Sequence, residues 1–200
     1  MENFPVSQTA PAVTAEILDR RLVYDGWYRF WVLRLRLPDG AEVERHLLDN
    51  GQAVAVLPYD AERRVAMLIT QPRVAVLAAG EPDLLEAIAG NLDGAPPAER
   101  VLEEAMEEGG LRLAALEPVA NIWPIPPVST ERVMLYLAPY AEADRVGEGG
   151  GHADEHENIR VVEIALDELY AMVMEGRLED GKTLALAQAL IIRHPELFTR

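Results

Sequence analysis

Apolar and polar positions alternate with a period of two along residues 22–37 and again along 41–48, on either side of Pro38-Asp39-Gly40. Alternation places the apolar side chains of a strand on one face, and Pro-Asp-Gly supplies the backbone freedom a tight turn needs, so this stretch predicts a β-hairpin. Residues 53–57 and 65–69 are short apolar runs flanking the turn-forming stretch 59–64, the pattern of a second hairpin with buried strands. Residues 96–108 predict a helix entered through Pro96-Pro97, where the fixed φ of proline suits the first turn. Further strands are expected at 117–123, 133–140 and 159–164, then a helix capped by Asp167 and a last helix from Thr183 to about Arg193. Residues 1–14 are polar and contain proline, which suits a loose or docking tail. Residues 142–158 form a long acidic, glycine-rich loop, and long loops in compact domains are usually functional or disordered. Strands mixed with few helices, without internal repeats, make the fold class α+β.

Composition changes this picture in three ways. Half of the 200 residues are hydrophobic, ample for a core. The absence of cysteine removes disulfides, thiol nucleophiles and thiolate metal sites. The formal net charge of −16, from 34 Asp plus Glu against 18 Lys plus Arg, opposes non-specific binding to nucleic acid or to an anionic membrane. A polyanionic substrate must therefore meet locally placed cations. No signal peptide and no apolar run of membrane-spanning length is read, so the expected location is cytoplasmic.

The chemistry concentrates at 86–111. On a helix Glu104, Glu107 and Glu108 stand at i, i+3 and i+4, and Glu103 lies beside Glu107, so four carboxylates crowd one side. Each like-charge i,i+4 pair costs roughly 0.2 to 0.5 kcal/mol. A hard divalent cation such as Mg²⁺ would turn the repulsion into coordination. From the residues alone, a solvated acidic face is an equal alternative.

The loop before this helix bears on the choice. From Gly90 to Glu104-Ala105-Met106-Glu107-Glu108-Gly109-Gly110-Leu111 the stretch resembles the Nudix box, a loop-helix-loop that binds Mg²⁺ and a diphosphate. It departs in three places: the loop is one residue short, Ala95 or Pro96 replaces the internal Glu, and Glu103 replaces the Arg. The resemblance covers roughly residues 20–192 and points to the ADP-ribose pyrophosphatase and GDP-mannose pyrophosphatase branch of the Nudix hydrolases. It is carried by Asp49-Asn50-Gly51-Gln52-Ala53-Val54-Ala55-Val56-Leu57-Pro58-Tyr59-Asp60, Gln71-Pro72-Arg73, Leu85-Glu86-Ala87-Ile88-Ala89-Gly90, Ser129-Thr130-Glu131-Arg132, Asp154-Glu155-His156-Glu157-Asn158-Ile159-Arg160-Val161 and Asp180-Gly181-Lys182-Thr183.

This resemblance implies an α/β/α sandwich, with 1–48 as an N-terminal tail and β-hairpin used for dimerisation and 49–200 as the Nudix hydrolase domain. It implies Mg²⁺, or Mn²⁺, held by Glu104, Glu107, Glu108, Glu157 and the backbone carbonyl of Ala89. Arg73 is placed to grip a substrate phosphate, where a planar guanidinium binds two oxygens. Glu131 and Arg132 match a substrate-binding segment. The base is expected in the long loop at Glu155, with Glu107 as the other catalytic carboxylate. His152 and His156 flank Glu155. Arg100, four residues before Glu104 and three before Glu103, is within ion-pair reach of both and can stand in for the missing box Arg. Pro126-Pro127-Val128 replaces the Pro-Gly-Gly of relatives, which gives the loop over the substrate another shape.

Tyr24, Trp27, Tyr28 and Trp31 lie where the family presents an aromatic to the nucleobase, often from the partner in a domain-swapped homodimer. Trp27 or Tyr28 is the expected stacking residue; interface packing is the alternative. Two functions remain open. One is Mg²⁺-dependent hydrolysis of the diphosphate of ADP-ribose or a similar nucleoside diphosphate sugar, giving a nucleoside monophosphate and a sugar phosphate. The other is a catalytically weakened nucleotide-sugar binding or sensor module.

Overall fold

The computed structural model describes residues 15–151 and 157–198, which divide into two compact units. The first lies within Met1–Gln52 together with Asn121–Arg132, and the second within Ala53–Ala120 and Val133–Arg200.

In the first unit β1 (Glu16–Asp25), β2 (Arg29–Arg36) and β3 (Glu42–Asp49) form an antiparallel sheet in that order. The β2–β3 turn falls at the Pro-Asp-Gly signal. Asp39 accepts the Ala41 N–H at 2.9 Å, and Gly40 takes φ 84°, which a side chain would resist. The single long arm expected over 22–37 is instead two strands. The chain reverses at residues 26–28, where the Gly26 N–H donates to the Tyr28 carbonyl at 3.3 Å. Within the same unit Leu48 bridges Ser129 in parallel, donating to the Val128 carbonyl at 2.7 Å and accepting from Thr130 N–H at 3.0 Å. β1 is exposed along nearly its whole length, and Leu33 of β2 is buried.

The second unit is built on six strands: β4 (Gln52–Asp60), β5 (Val65–Thr70), β6 (Ile88–Asn91), β7 (Glu117–Ile122), β8 (Arg132–Pro139) and β9 (Arg160–Ala165). Their order is β7-β8-β4-β5-β9, with β6 paired to β4. The helices are α1 (Val74–Ala79), α2 (Pro97–Gly109), α3 (Leu166–Glu175) and α4 (Gly181–Arg193). Val54, Val56, Met67 and Ile69 pack with Val101 and Ala105 of α2. The alternate residues Ala55, Leu57, Ala66 and Leu68 point the other way by the strand period and are also fully buried. Both faces of the sheet are therefore covered; α3 packs on β5 and β9, and α4 on α3. This is the expected α/β/α arrangement of an α+β fold. Each fully buried Leu or Ile contributes about 1.5–3 kcal/mol.

The β4–β5 turn is fixed by Asp60, which accepts the N–H groups of Glu62 and Arg63, each at 2.9 Å. Three local expectations change. β6, four residues long, lies in what reads as a loop, and α1 follows Arg73 with no sequence signal. Asp167 does not cap α3: the strand β9 runs straight into the helix, Ala165 is the cap, and Asp167 sits in the first turn paired with Arg64 at 2.9 Å. The acidic loop begins with a short 3-10 turn at Glu142–Asp144. The tail 1–14 lies outside the described residues.

Candidate active site

The site grows from the meeting of β6 with α2. Pro97 starts the helix at its first position, and Gly110 ends it at φ 67°, with the Gly110 and Leu111 N–H groups capping Met106 and Ala105 carbonyls. Val101, Ala105 and Gly109 form the stripe that faces the sheet, and Glu104 and Glu108 are buried beside it. Gly109 packs closely on the strand layer: a Cβ there would stand 2.7 Å from the Ile88 side chain, which would have to shift. Gly90 on β6 plays the same part for a carboxylate: a Cβ there would collide with the Glu104 side chain. Next to it the Ala89 N–H donates to Glu108 Oε2 at 3.0 Å. Two carboxylates are thus pressed against a strand backbone.

The four-carboxylate cluster splits by burial. Glu104 and Glu108 are buried, Glu107 is partly covered and Glu103 is exposed. Arg100 holds them from one turn earlier: it ion-pairs with Glu104, donates to Glu103 at 3.2 Å, approaches Glu107 at 3.5 Å and donates Nε–H to the Asn91 carbonyl at 3.1 Å. Among the described residues no cation pairs directly with Glu108. Burial above all pushes its carboxyl up to about 8; the Ala89 N–H opposes this, Glu104 and Glu157 add to it, and Arg73 opposes it.

A second cluster holds the cations. Arg73 grips Glu86 at two points, 2.8 and 2.9 Å, and Lys182 donates to the same carboxylate at 2.6 Å while pairing with Asp180 at 3.1 Å. Burial of Glu86 raises its carboxyl, but Arg73 and Lys182 together outweigh that and hold it below the usual range. Asp180 caps α4 through the Thr183 N–H at 2.9 Å, and Thr183 Oγ1 accepts the Ala87 N–H at 2.6 Å. These bonds tie the start of α4 to the strand end that precedes Ala89.

The acidic loop returns to the C-terminal end of α2, where Gly150 N–H donates to the Glu108 carbonyl at 2.8 Å and Gly151 N–H to the Glu107 carbonyl at 3.0 Å. The structure thus brings Ala89, Glu104, Glu107, Glu108 and Glu157 together, with the charge of Arg73 felt at Glu108. Glu155, His152 and His156 lie outside the described residues. Trp27, Tyr28, Glu131 and Arg132 belong to the first unit. There Trp27 is 87% exposed, and Arg132 lies over the Trp123 ring at 5.3 Å while donating to Asn121. Glu86 and Lys182 carried no assigned role in the sequence, although both fall in quoted segments, and their pairing joins residues 96 positions apart.

Among the described residues no three Asp, Glu or His side chains already stand in metal-holding geometry. The donor chemistry nevertheless fits a hard divalent cation: buried carboxylate oxygens, among them that of Glu108, whose pKa is raised first by burial and then by the neighbouring charges of Glu104 and Glu157.

Over 192 residues the chain is 37% identical to the GDP-mannose pyrophosphatase of Cronobacter sakazakii, covering 91% of this chain and 97% of that protein. It is 34% identical over 184 residues to the GDP-mannose pyrophosphatase of Pectobacterium atrosepticum, covering 89% and 94%. The chain belongs to the GDP-mannose pyrophosphatase branch of the Nudix hydrolases. A crystal structure of an ADP compounds hydrolase superposes with a TM-score of 0.74 at 15% identity, over 94% of this chain and 98% of that one, a likeness of fold. No protein-family model matches the chain. For this Nudix hydrolase the box falls on β6, a short loop and α2, and the position that lost its Arg, Glu103, is exposed on the helix that Arg100 supplies from within.

Proposed function

We propose that this Nudix hydrolase splits the diphosphate of a nucleoside diphosphate sugar, GDP-mannose, ADP-ribose or a close analogue, with Mg²⁺ or Mn²⁺. The observation that carries the reading is the pair of buried carboxylates, Glu104 and Glu108, pressed against Gly90 and Ala89 and bordered by the Arg73–Glu86–Lys182 cluster. Water adds to one phosphorus, the bridging P–O bond breaks, and the water's proton passes to a carboxylate. Glu104, Glu107, Glu108, Glu157 and the Ala89 carbonyl would hold the cation, which supplies charge neutralisation and water activation. Arg73 and Lys182 both donate to Glu86, and both present N–H donors that a diphosphate oxygen can accept from. Glu155 is assigned as proton acceptor, and Trp27 or Tyr28 with Glu131 and Arg132 as the grip on base and sugar.

The exposed apolar side chains Ile17, Leu22, Val23 and Tyr24 on β1, with Trp27 beyond it, support a homodimer through the N-terminal sheet. Net charge argues against nucleic acid as a ligand. No helix among the described residues is long and apolar enough to cross a membrane. A cytoplasmic location completes the reading.

The test is incubation of purified protein with Mg²⁺ and a panel of GDP-mannose, ADP-ribose, other nucleotide sugars and dinucleotides, coupling product to a phosphatase. Turnover that disappears in Glu108→Gln supports the hydrolase. Silence across the panel, with a nucleotide sugar still raising the melting temperature, supports a binding module instead.

A further inference from the structure

The segment after the 3-10 turn is fastened to the end of α2 by its backbone. Val146 and Gly147 N–H groups donate to the Gly110 carbonyl at 2.9 and 3.2 Å, ahead of the bonds from Gly150 and Gly151 to Glu108 and Glu107. The last carbonyls of a helix have no partner within it, and these amides supply one. Gly150 and Gly151 donate from a run of three glycines with φ of 70° at Gly149, 107° at Gly150 and 76° at Gly151, conformations that other residues adopt only with strain. The space around them differs. A Cβ at Gly149 would strike the Glu108 carbonyl, one at Gly150 would find its nearest neighbour at 3.8 Å, and one at Gly151 would strike the Glu157 carboxylate.

Backbone geometry alone explains the first two glycines, but not why a charged side chain fills the third one's missing Cβ. We propose that Gly151 is a positioning residue whose absent side chain forms the seat of the Glu157 carboxylate, fixing it against the helix that carries Glu107 and Glu108. The inference rests on the reading of Glu157 as a carboxylate of the site, and the charge of Glu157 is felt at Glu108. One residue thereby couples two jobs: its N–H closes the helix end at Glu107, and its bare Cα leaves room for a carboxylate from farther along the chain. Carboxylates are useful to a cation only when held to a few tenths of an ångström, and such outer supports are worth about 10- to 100-fold in metal affinity.

Gly151→Ala, with Gly151→Asn as a second variant because Asn tolerates the left-handed backbone while still adding a Cβ, would be compared with Gly176→Ala. Gly176 has φ 70° and nothing within 4 Å of a new Cβ, so it reports strain without collision. Mn²⁺ binding followed by electron paramagnetic resonance, and thermal melting, are measured for each and for Glu157→Ala alone and combined with Gly151→Ala. The expected result is a lower melting temperature in both alanine variants but weaker Mn²⁺ binding, by about 10-fold or more, only at Gly151. In the Glu157→Ala background the same change at Gly151 moves Mn²⁺ binding by less than about 2-fold, because the displaced carboxylate is gone. Undiminished Mn²⁺ binding in both Gly151 variants, with Glu157→Ala impaired, overturns the seat and leaves the reading of Glu157 intact. An equal loss in both backgrounds overturns it too, by assigning the effect to the helix cap. Wild-type Mn²⁺ binding in Glu157→Ala removes Glu157 from the site, and the seat with it.

Discussion

The Arg100 guanidinium rests on the Glu104 carboxylate one turn farther along α2, and also reaches Glu103 and Glu107. An Arg placed N-terminal to a Glu at i,i+4 is the less favourable order for helix stability. The pairing is better explained by what it does to the carboxylates, holding Glu104 in place against β6. Arg100→Ala is expected to raise the Mg²⁺ concentration needed for half-maximal activity by about 10-fold or more. Arg100→Leu combined with Glu103→Arg, which moves the guanidinium to the box position, is expected to restore most of it. A Mg²⁺ titration of the three proteins decides, and an unaltered dependence in Arg100→Ala rejects the idea.

Glu108 couples function to stability through pH. Its folded-state carboxyl lies at about 8, above the usual value of 4.5, so the contribution it makes to the metal-free fold is complete below about 4.5 and is lost as pH rises through about 8. Glu108→Gln removes that loss. In EDTA the variant is expected to melt higher than wild type near pH 8, with the gap closing toward pH 4.5, while turnover with Mg²⁺ falls at least about 100-fold. Melting curves across this range test it; a gap that does not change with pH would sink the assignment.

Glu86 has the opposite linkage. Arg73 and Lys182 hold its carboxyl below 4.5, so its contribution is present above that value and disappears as pH falls through the folded pKa. Glu86→Gln leaves two cations facing one neutral amide and is expected to cost about 1.5–3 kcal/mol at pH 7 by urea unfolding, with less cost below pH 4. Because Glu86 also orients Arg73, KM for the nucleotide sugar is expected to rise more than kcat falls. A wild-type KM would show that Arg73 needs no such partner.

Glu155→Gln is expected to reduce turnover by roughly 10²- to 10⁴-fold while leaving Mn²⁺ binding largely intact, as removal of a base does. Unchanged turnover would move the base to another carboxylate, Glu107 first.

Local signals carried much of the fold. Pro38-Asp39-Gly40 marked the β2–β3 turn, the apolar runs marked β4 and β5, and Pro96-Pro97 marked the start of α2. What escaped was either too short or too distant. β6 has four residues, below the length at which a period shows, and the reversal at residues 26–28 lies inside a run whose alternation reads as one strand. At the site, helical spacing indicated that Glu104 and Glu108 share a face. It could not say that Glu103 stays in solvent, nor that Lys182 and Arg73 converge on Glu86, because those outcomes are set by packing between segments far apart in the chain.

The glycines at 149–151 have one more effect. A glycine surrenders about 0.5–1 kcal/mol more backbone freedom on ordering than an alanine does, so three in succession make this stretch expensive to keep in register. The cap on the carboxylate helix is therefore also costly to keep closed. In deuterium exchange the amides of Gly150 and Gly151 are expected to open on their own, far faster than those of β4 and β5, each opening releasing the last turn of α2 for a moment before it closes again.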